Sequence, residues 1–153
     1  MYRSMLQKVY DIPYVPSSWQ RLDTMIELSD VKPGQKTADL GSGDGRVVIA
    51  LAKKGADATG FEIDEGRVGL AKQNIDKEGL NGNAKIYQKN FWDVDFGDFD
   101  IITIYGITGI MDRLEKKLRK ELKPGARVVC NYFNFPTWKH KKEKGDVYLY
   151  VQE

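Results

Sequence analysis

The stretch DLGSGDG, residues 39–45, lies between the apolar-ending KTADL (Lys36–Leu40) and the apolar run VVIALA at 47–52. Three glycines within five residues, at the join of a short strand and a helix, read as a backbone loop shaped to a ligand. The choice of ligand turns on Asp39, a carboxylate two residues before the first glycine. A dinucleotide fingerprint would need GxGxxG, yet Gly41, Gly43 and Gly45 give GxGxG, and Arg46 stands where the third glycine belongs. Asp39 would also repel two phosphates. A Walker loop fails because no Gly-Lys-Ser/Thr follows.

A cationic ligand suits the same loop. S-adenosylmethionine carries a sulfonium and an α-ammonium, so acidic strand ends beside a close-approaching glycine loop match its charge. Asp39 and Asp44 then have a purpose. A second carboxylate is expected at the end of the next strand to take the ribose hydroxyls, and Glu62 closes FEI 23 residues after Asp39, with Asp64 following. The plain alternative is a tight turn with solvated acids.

Outward from the loop, helix and strand patterns alternate. Upstream, Ser17 and Gln20 have capping-box spacing, and Trp19, Leu22 and Ile26 continue at helical spacing to Leu28. A KPGQ turn leads into KTADL. Downstream the pattern predicts a helix over 46–54 closed by Gly55, a strand over 57–63, a helix over 65–79, a strand over 84–89 and an apolar strand over 100–105. From Ile110, Leu114, Leu118 and Leu122 step by four along an amphipathic helix whose other faces carry Arg113, Lys116, Lys117, Arg119 and Lys120. A fifth strand over 126–133 precedes two short candidates, TWKHKK (137–142) and DVYLYVQ (146–152), which pair as an antiparallel hairpin. The expected fold is α/β: a Rossmann-like, doubly wound, seven-stranded sheet, mostly parallel, with a C-terminal antiparallel hairpin.

Composition limits the chemistry. The chain has 153 residues, 41% hydrophobic and 30% charged, with a net charge of +2, which fits one domain with one core. A single cysteine, Cys130, and a single histidine, His140, exclude a disulfide framework and leave no Cys/His metal cluster. No metal is expected. No apolar run has the length of a signal peptide or membrane span, so the expectation is a cytoplasmic protein with no membrane partner.

DLGSGDG with FEID resembles motif I and the following acidic position of the class I, seven-stranded S-adenosylmethionine-dependent methyltransferases. More narrowly, PYVPSS (13–18), DLGSGDGRVVIA (39–50), NFWDVD (90–95), ELKPGARVV (121–129) and VYLYV (147–151) are similar to the small archaeal broad-specificity protein-lysine methyltransferases and their mitochondrial lysine-methylating relatives. The resemblance implies one methyltransferase domain over 1–153, in which 1–34 is an N-terminal cofactor-covering segment and helix and 35–153 is the core. It puts the methionine moiety against Asp39, Gly41, Ser42 and Gly43, with Asp44 and Gly45 shaping the loop. By the same resemblance Glu62 holds the ribose, Ile63 packs on the adenine, and Asn90 with Phe91 lines the adenine side. Tyr14 and the Pro16-Ser17 segment fold over the cofactor.

The acceptor is read from the end of strand four, IYGITG (104–109). Enzymes that methylate exocyclic base amines resemble one another in an Asn/Asp-Pro-Pro-Tyr/Phe there, which this chain lacks. A cytosine-C5 enzyme needs a thiolate, and Cys130 reads as a buried strand residue. A lysine acceptor suits an apolar, aromatic rim, with Tyr105 as the candidate catalytic residue, the Gly106 carbonyl accepting from the amine, and Asn131, Tyr132 and Phe133 as the other wall. The plain reading of Tyr105 is packing against a helix. The basic helix face and the cluster Lys139, His140, Lys141, Lys142 and Lys144 beside Trp138 leave RNA as an alternative acceptor, with Trp138 stacking on a base, against a solvated face. A monomer acting on lysine-presenting proteins is expected; the other-class alternative is a catalytically silent cofactor-binding module.

Overall fold

The computed structural model describes residues 18–105 and 109–153. Seven strands form one sheet in the order β3-β2-β1-β4-β5-β7-β6: β1 (Lys36–Leu40), β2 (Asp57–Glu62), β3 (Ala84–Gln88), β4 (Ile101–Tyr105), β5 (Arg127–Asn131), β6 (Lys142–Lys144) and β7 (Val147–Val151). The first five pair in parallel, while β7 runs antiparallel to both β5 and β6. Among the described residues four helices cover the faces: α1 (Ser18–Ser29), α2 (Arg46–Lys53), α3 (Glu65–Lys77) and α4 (Met111–Glu121). A 3₁₀ turn occupies Phe91–Asp93.

Each face has its own core because the central strands are apolar on both sides. One joins Leu114 and Leu118 of α4, and Leu122 just past its end, to Ala38, Leu40, Ile102 and Ile104. The other joins α1, α2 and α3 through Met25, Val48, Leu51 and Ala71 to Ala58, Val129 and Leu149. The step-by-four leucine stripe is fully buried, as its period required. None of the described helices is long and apolar enough to cross a membrane.

One expectation about the elements is corrected. The first strand of the hairpin is Lys142–Lys144, not 137–142. The buried Glu115 carboxylate of α4 accepts the backbone N–H groups of Thr137 at 2.8 Å and Trp138 at 3.0 Å, and also the Thr137 hydroxyl. Those two backbone donors are spent on a side chain, so the start of the segment is a loop, and pairing with β7 begins only at the Lys141 N–H, which donates to the Leu149 carbonyl at 2.7 Å. In α1 the buried apolar positions are Leu22, Met25 and Leu28, beside the buried Arg21 and Ser29, while Trp19 is 54% exposed beneath the Arg46 guanidinium, 5.1 Å from its ring centroid. Cation–π contact keeps that ring at the surface.

Candidate active site

The connections change direction between β1 and β4, so a crevice opens outside the carboxyl ends of those strands. Asp39 lies there beside Thr103 of β4 in register, and the Thr103 hydroxyl donates to Asp39 Oδ1 at 2.7 Å. Asp39 is only 2% exposed. Burial pushes its carboxyl up to about 7 despite the Thr103 hydrogen bond, and the nearby Asp44 and Glu62 charges add to the rise. A cation in the crevice would relieve both effects.

Glu62, at the end of β2, fastens the glycine loop. Its Oε1 accepts the Gly43 N–H at 2.8 Å and its Oε2 the Asp64 N–H at 3.0 Å. Gly41 and Ser42 donate their N–H groups to the Phe61 carbonyl at 2.9 and 3.1 Å, so four backbone donors lace the loop and its neighbour to β2. Each carboxylate oxygen keeps a second lone pair for a ligand hydroxyl. Gly41 and Gly43 adopt φ of +71° and +57°, and a Cβ added at either would meet nothing within 4 Å. The loop is bare of side chains where a ligand has to approach its backbone.

The remaining loop residues shape it. The Ser42 side chain lies against Gly60, where an added Cβ would come within 2.6 Å of it, and Ser42 Oγ has no partner among the described residues. Gly45 precedes α2 at φ +86°, and a Cβ added there would come within 3.1 Å of the Ala71 methyl of α3. Asp44 faces Arg46 at 2.7 Å. Burial alone would raise the Asp44 carboxyl, but the Arg46 hydrogen bonds and charge outweigh it and hold it below the usual range.

On the outer side, Ile63 is 67% exposed directly after Glu62, an apolar surface suited to a flat base. Asn90 caps the 3₁₀ turn by accepting the Trp92 N–H at 3.0 Å, and Phe91 packs on Trp92 with ring centroids 4.8 Å apart. The acidic, bare and apolar parts thus fit S-adenosylmethionine in charge and shape. Tyr14, Ser17 and Gly106 lie outside the described residues.

Tyr105 ends β4 at 37% exposure, in register beside Asn131 of β5. Burial lifts its hydroxyl above the usual value; Asp39 and Asp44 reinforce that, and Arg46 and Arg21 oppose it. Cys130 is fully buried and its thiol is pushed far up by desolvation, so it supplies no thiolate. Trp138 is buried against Phe135 and Tyr150, with centroids at 5.5 and 5.1 Å, so the alternative in which it stacks on a base does not fit its position. No group of three or more His, Cys, Asp and Glu among the described residues is placed to hold a metal ion.

Sequence reasoning passed over two groups. Thr103, the one hydroxyl in IITIY apart from the terminal tyrosine, is the Asp39 partner, and its oddity in an apolar strand was the signal. Arg21 is buried against Asn131 and carries no local signal at all.

Comparison with known proteins agrees with this geometry. A solved RNA methyltransferase from Salinibacter ruber in complex with S-adenosyl-L-homocysteine superposes with a TM-score of 0.82 at 30% identity, covering 90% of this chain and 92% of that one. The protein-lysine N-methyltransferase of Saccharolobus islandicus is 39% identical over 150 residues, 92% of this chain and 93% of that protein. The adenine nucleotide translocase lysine N-methyltransferase of Mus musculus is 36% identical over 128 residues, 83% of this chain, and the match spans 56% of that protein's length. The profile of the ANTKMT methyltransferase domain matches residues 39–142, opening on the buried Asp39 carboxylate. A match that begins at this acid and runs to the start of β6, with a relative of nearly equal length, places the chain in the ANTKMT methyltransferase domain family, and its cofactor is S-adenosylmethionine.

Proposed function

We propose that the protein transfers methyl groups from S-adenosylmethionine to lysine side chains of proteins. The observation that carries this is the aromatic rim at the end of β4: Tyr105, partly exposed, beside Asn131, with no carboxylate or amide on β4 itself to grip a base amine. The names of the archaeal and mouse relatives support the same acceptor. When bound, the cofactor supplies an electrophilic methyl on a sulfonium. The chain's residues then have to orient the acceptor in line and exclude water.

In this reading Asp39 anchors the methionine ammonium, Glu62 the ribose, and Ile63 with Asn90 and Phe91 the adenine. Gly41, Ser42, Gly43, Asp44 and Gly45 provide the backbone cradle, and Tyr14 and Ser17 cover it. Tyr105 lines the acceptor channel. A lysine amine has an ordinary pKa near 10.4, and the partly buried rim favours its neutral, nucleophilic form by desolvation. The amine proton leaves to solvent as the N–C bond forms and the S–C bond breaks. We place the protein in the cytoplasm, as a monomeric single domain over 1–153 that acts without a membrane.

RNA is the second reading, favoured by the name of the Salinibacter ruber relative and by the exposed lysines 139, 141 and 142. Incubation with methyl-labelled cofactor and either mixed protein or total RNA separates them. Label in protein, retained after nuclease and released as methylated lysine on hydrolysis, is expected. Label confined to RNA would replace the lysine reading, and label in neither would leave a cofactor-binding module.

A further inference from the structure

We propose that Arg21 is a positioning residue for the acceptor: by tying the end of β5 and the β6–β7 turn to α1, it fixes the wall beside Tyr105 without touching the cofactor loop. The inference rests on the reading that the acceptor enters at the end of β4. Arg21 Nη1 donates to Asn131 Oδ1 at 3.0 Å, across 110 residues of sequence. Its Nη2 lies 3.6 Å from the Asp146 carboxylate, and its guanidinium carbon stands 5.5 Å from the Tyr132 ring centroid.

These three contacts converge on one strained place. Tyr132 has φ of +76°, a region that a residue with a side chain enters at a cost, and its N–H donates to the Asp146 carbonyl at 2.6 Å. The Tyr132 ring meets Phe133 edge-on at 5.0 Å. Asn131, the residue before it, is the register partner of Tyr105. The Arg21 charge also acts on the Tyr105 hydroxyl.

Stability does not account for the arrangement. Arg21 is 5% exposed, and its Nε has no acceptor among the described residues. Its ionic partner Asp146 is more than half exposed and 3.6 Å away. Set against one hydrogen bond to Asn131, one ring contact and one loose ion pair, desolvating a guanidinium with a donor left unmet yields little net stability beside an apolar side chain of similar length. What the arginine adds is a fork that holds two elements at once.

The test uses the full chain, with Arg21→Met and Arg21→Lys. S-adenosylhomocysteine affinity is measured by calorimetry, and initial rates with labelled cofactor on a mixed-histone preparation. For Arg21→Met we expect an apparent kcat/KM at least about tenfold lower and S-adenosylhomocysteine affinity within about twofold. Arg21→Lys, which can keep one contact of the two, restores part of the loss. Asp146→Asn, on an exposed turn where folding is not at risk, shifts kcat/KM the same way but less. Unchanged kcat/KM in Arg21→Met, or an equal loss of S-adenosylhomocysteine affinity, overturns the proposal. If Arg21→Met does not fold, unchanged kcat/KM in Asp146→Asn overturns it instead. Absence of protein methylation by the parent chain, with S-adenosylhomocysteine still bound, fails the lysine reading itself and takes the proposal with it.

Discussion

The two halves of the carboxyl edge are built by different means. On the cofactor half, β1, β2 and the glycine loop are joined by backbone N–H groups that reach a carboxylate and a carbonyl about twenty residues away. On the acceptor half, Tyr105 stands beside Asn131, which is held by Arg21 from across 110 residues. The first half is a local motif: the residues that bend the loop also leave it bare for a ligand. The second half exists only once α1 packs against β5 and β7. A cofactor half fixed by local chemistry leaves the acceptor half free to vary with whatever elements the fold brings to it.

The largest expected effect attacks the cofactor half at its fastening. Glu62→Ala removes the acceptor of two backbone N–H groups and is expected to weaken S-adenosylhomocysteine binding about 100-fold, about 2.7 kcal/mol, because each charge-assisted hydrogen bond to a buried carboxylate is worth about 1.5–3 kcal/mol. Calorimetry decides it; a change within twofold would mean that the glycines hold the loop unaided. Next in size is Gly60→Ala, whose new methyl would come within 2.6 Å of Ser42 and 2.8 Å of Ile86 Cδ1. Overpacking of this kind costs roughly 1–3 kcal/mol, read from denaturant midpoints. Adding Ser42→Gly should recover part of it, and a neutral Gly60→Ala would show the loop to be compliant. The acceptor half responds differently. Tyr105→Ala is expected to lower turnover about 20-fold through lost alignment while S-adenosylhomocysteine affinity stays within about twofold. An affinity loss of the same size would move Tyr105 into the cofactor half.

The same division decides what could be read in advance. The succession of strands and helices follows from alternating apolar runs, and the loop announces itself through Asp39, three glycines and Glu62 within 24 residues. Glu115 was illegible because a carboxylate on a helix looks solvated until the loop it caps is folded over it. That one side chain moved the first hairpin strand from 137–142 to Lys142–Lys144. Trp19 is exposed for a similar reason: helical spacing marks a helix, and the Arg46 cation over its ring holds that large side chain outside. Arg21 falls at a buried position of α1 with no pattern to mark it. Long-range polar contacts carry no period.

The smallest effect sharpens the comparison by pH. Free Asp39, raised to about 7 chiefly by burial, is half protonated near neutrality. Its ordinary value is about 3.9, so between about pH 4 and 7 the folded protein binds more protons than the unfolded chain. Stability of the free protein therefore falls as pH rises through that window and levels off above about 7. Cofactor binding runs the other way. The ligand's positive charge favours the ionised carboxylate, so below pH 7 binding must displace a proton, and affinity for S-adenosylmethionine is expected to fall about tenfold, about 1.4 kcal/mol, from pH 8 to pH 6. Calorimetry in buffers of different ionisation enthalpy would register the released proton directly. Asp39→Asn should bind more weakly at pH 8 yet lose this dependence and gain stability at neutral pH relative to its parent, since a neutral amide is not penalised by burial as a charge is. A pH profile that survives in Asp39→Asn would assign the proton to another group and separate the buried acid of β1 from the charge selectivity of the loop.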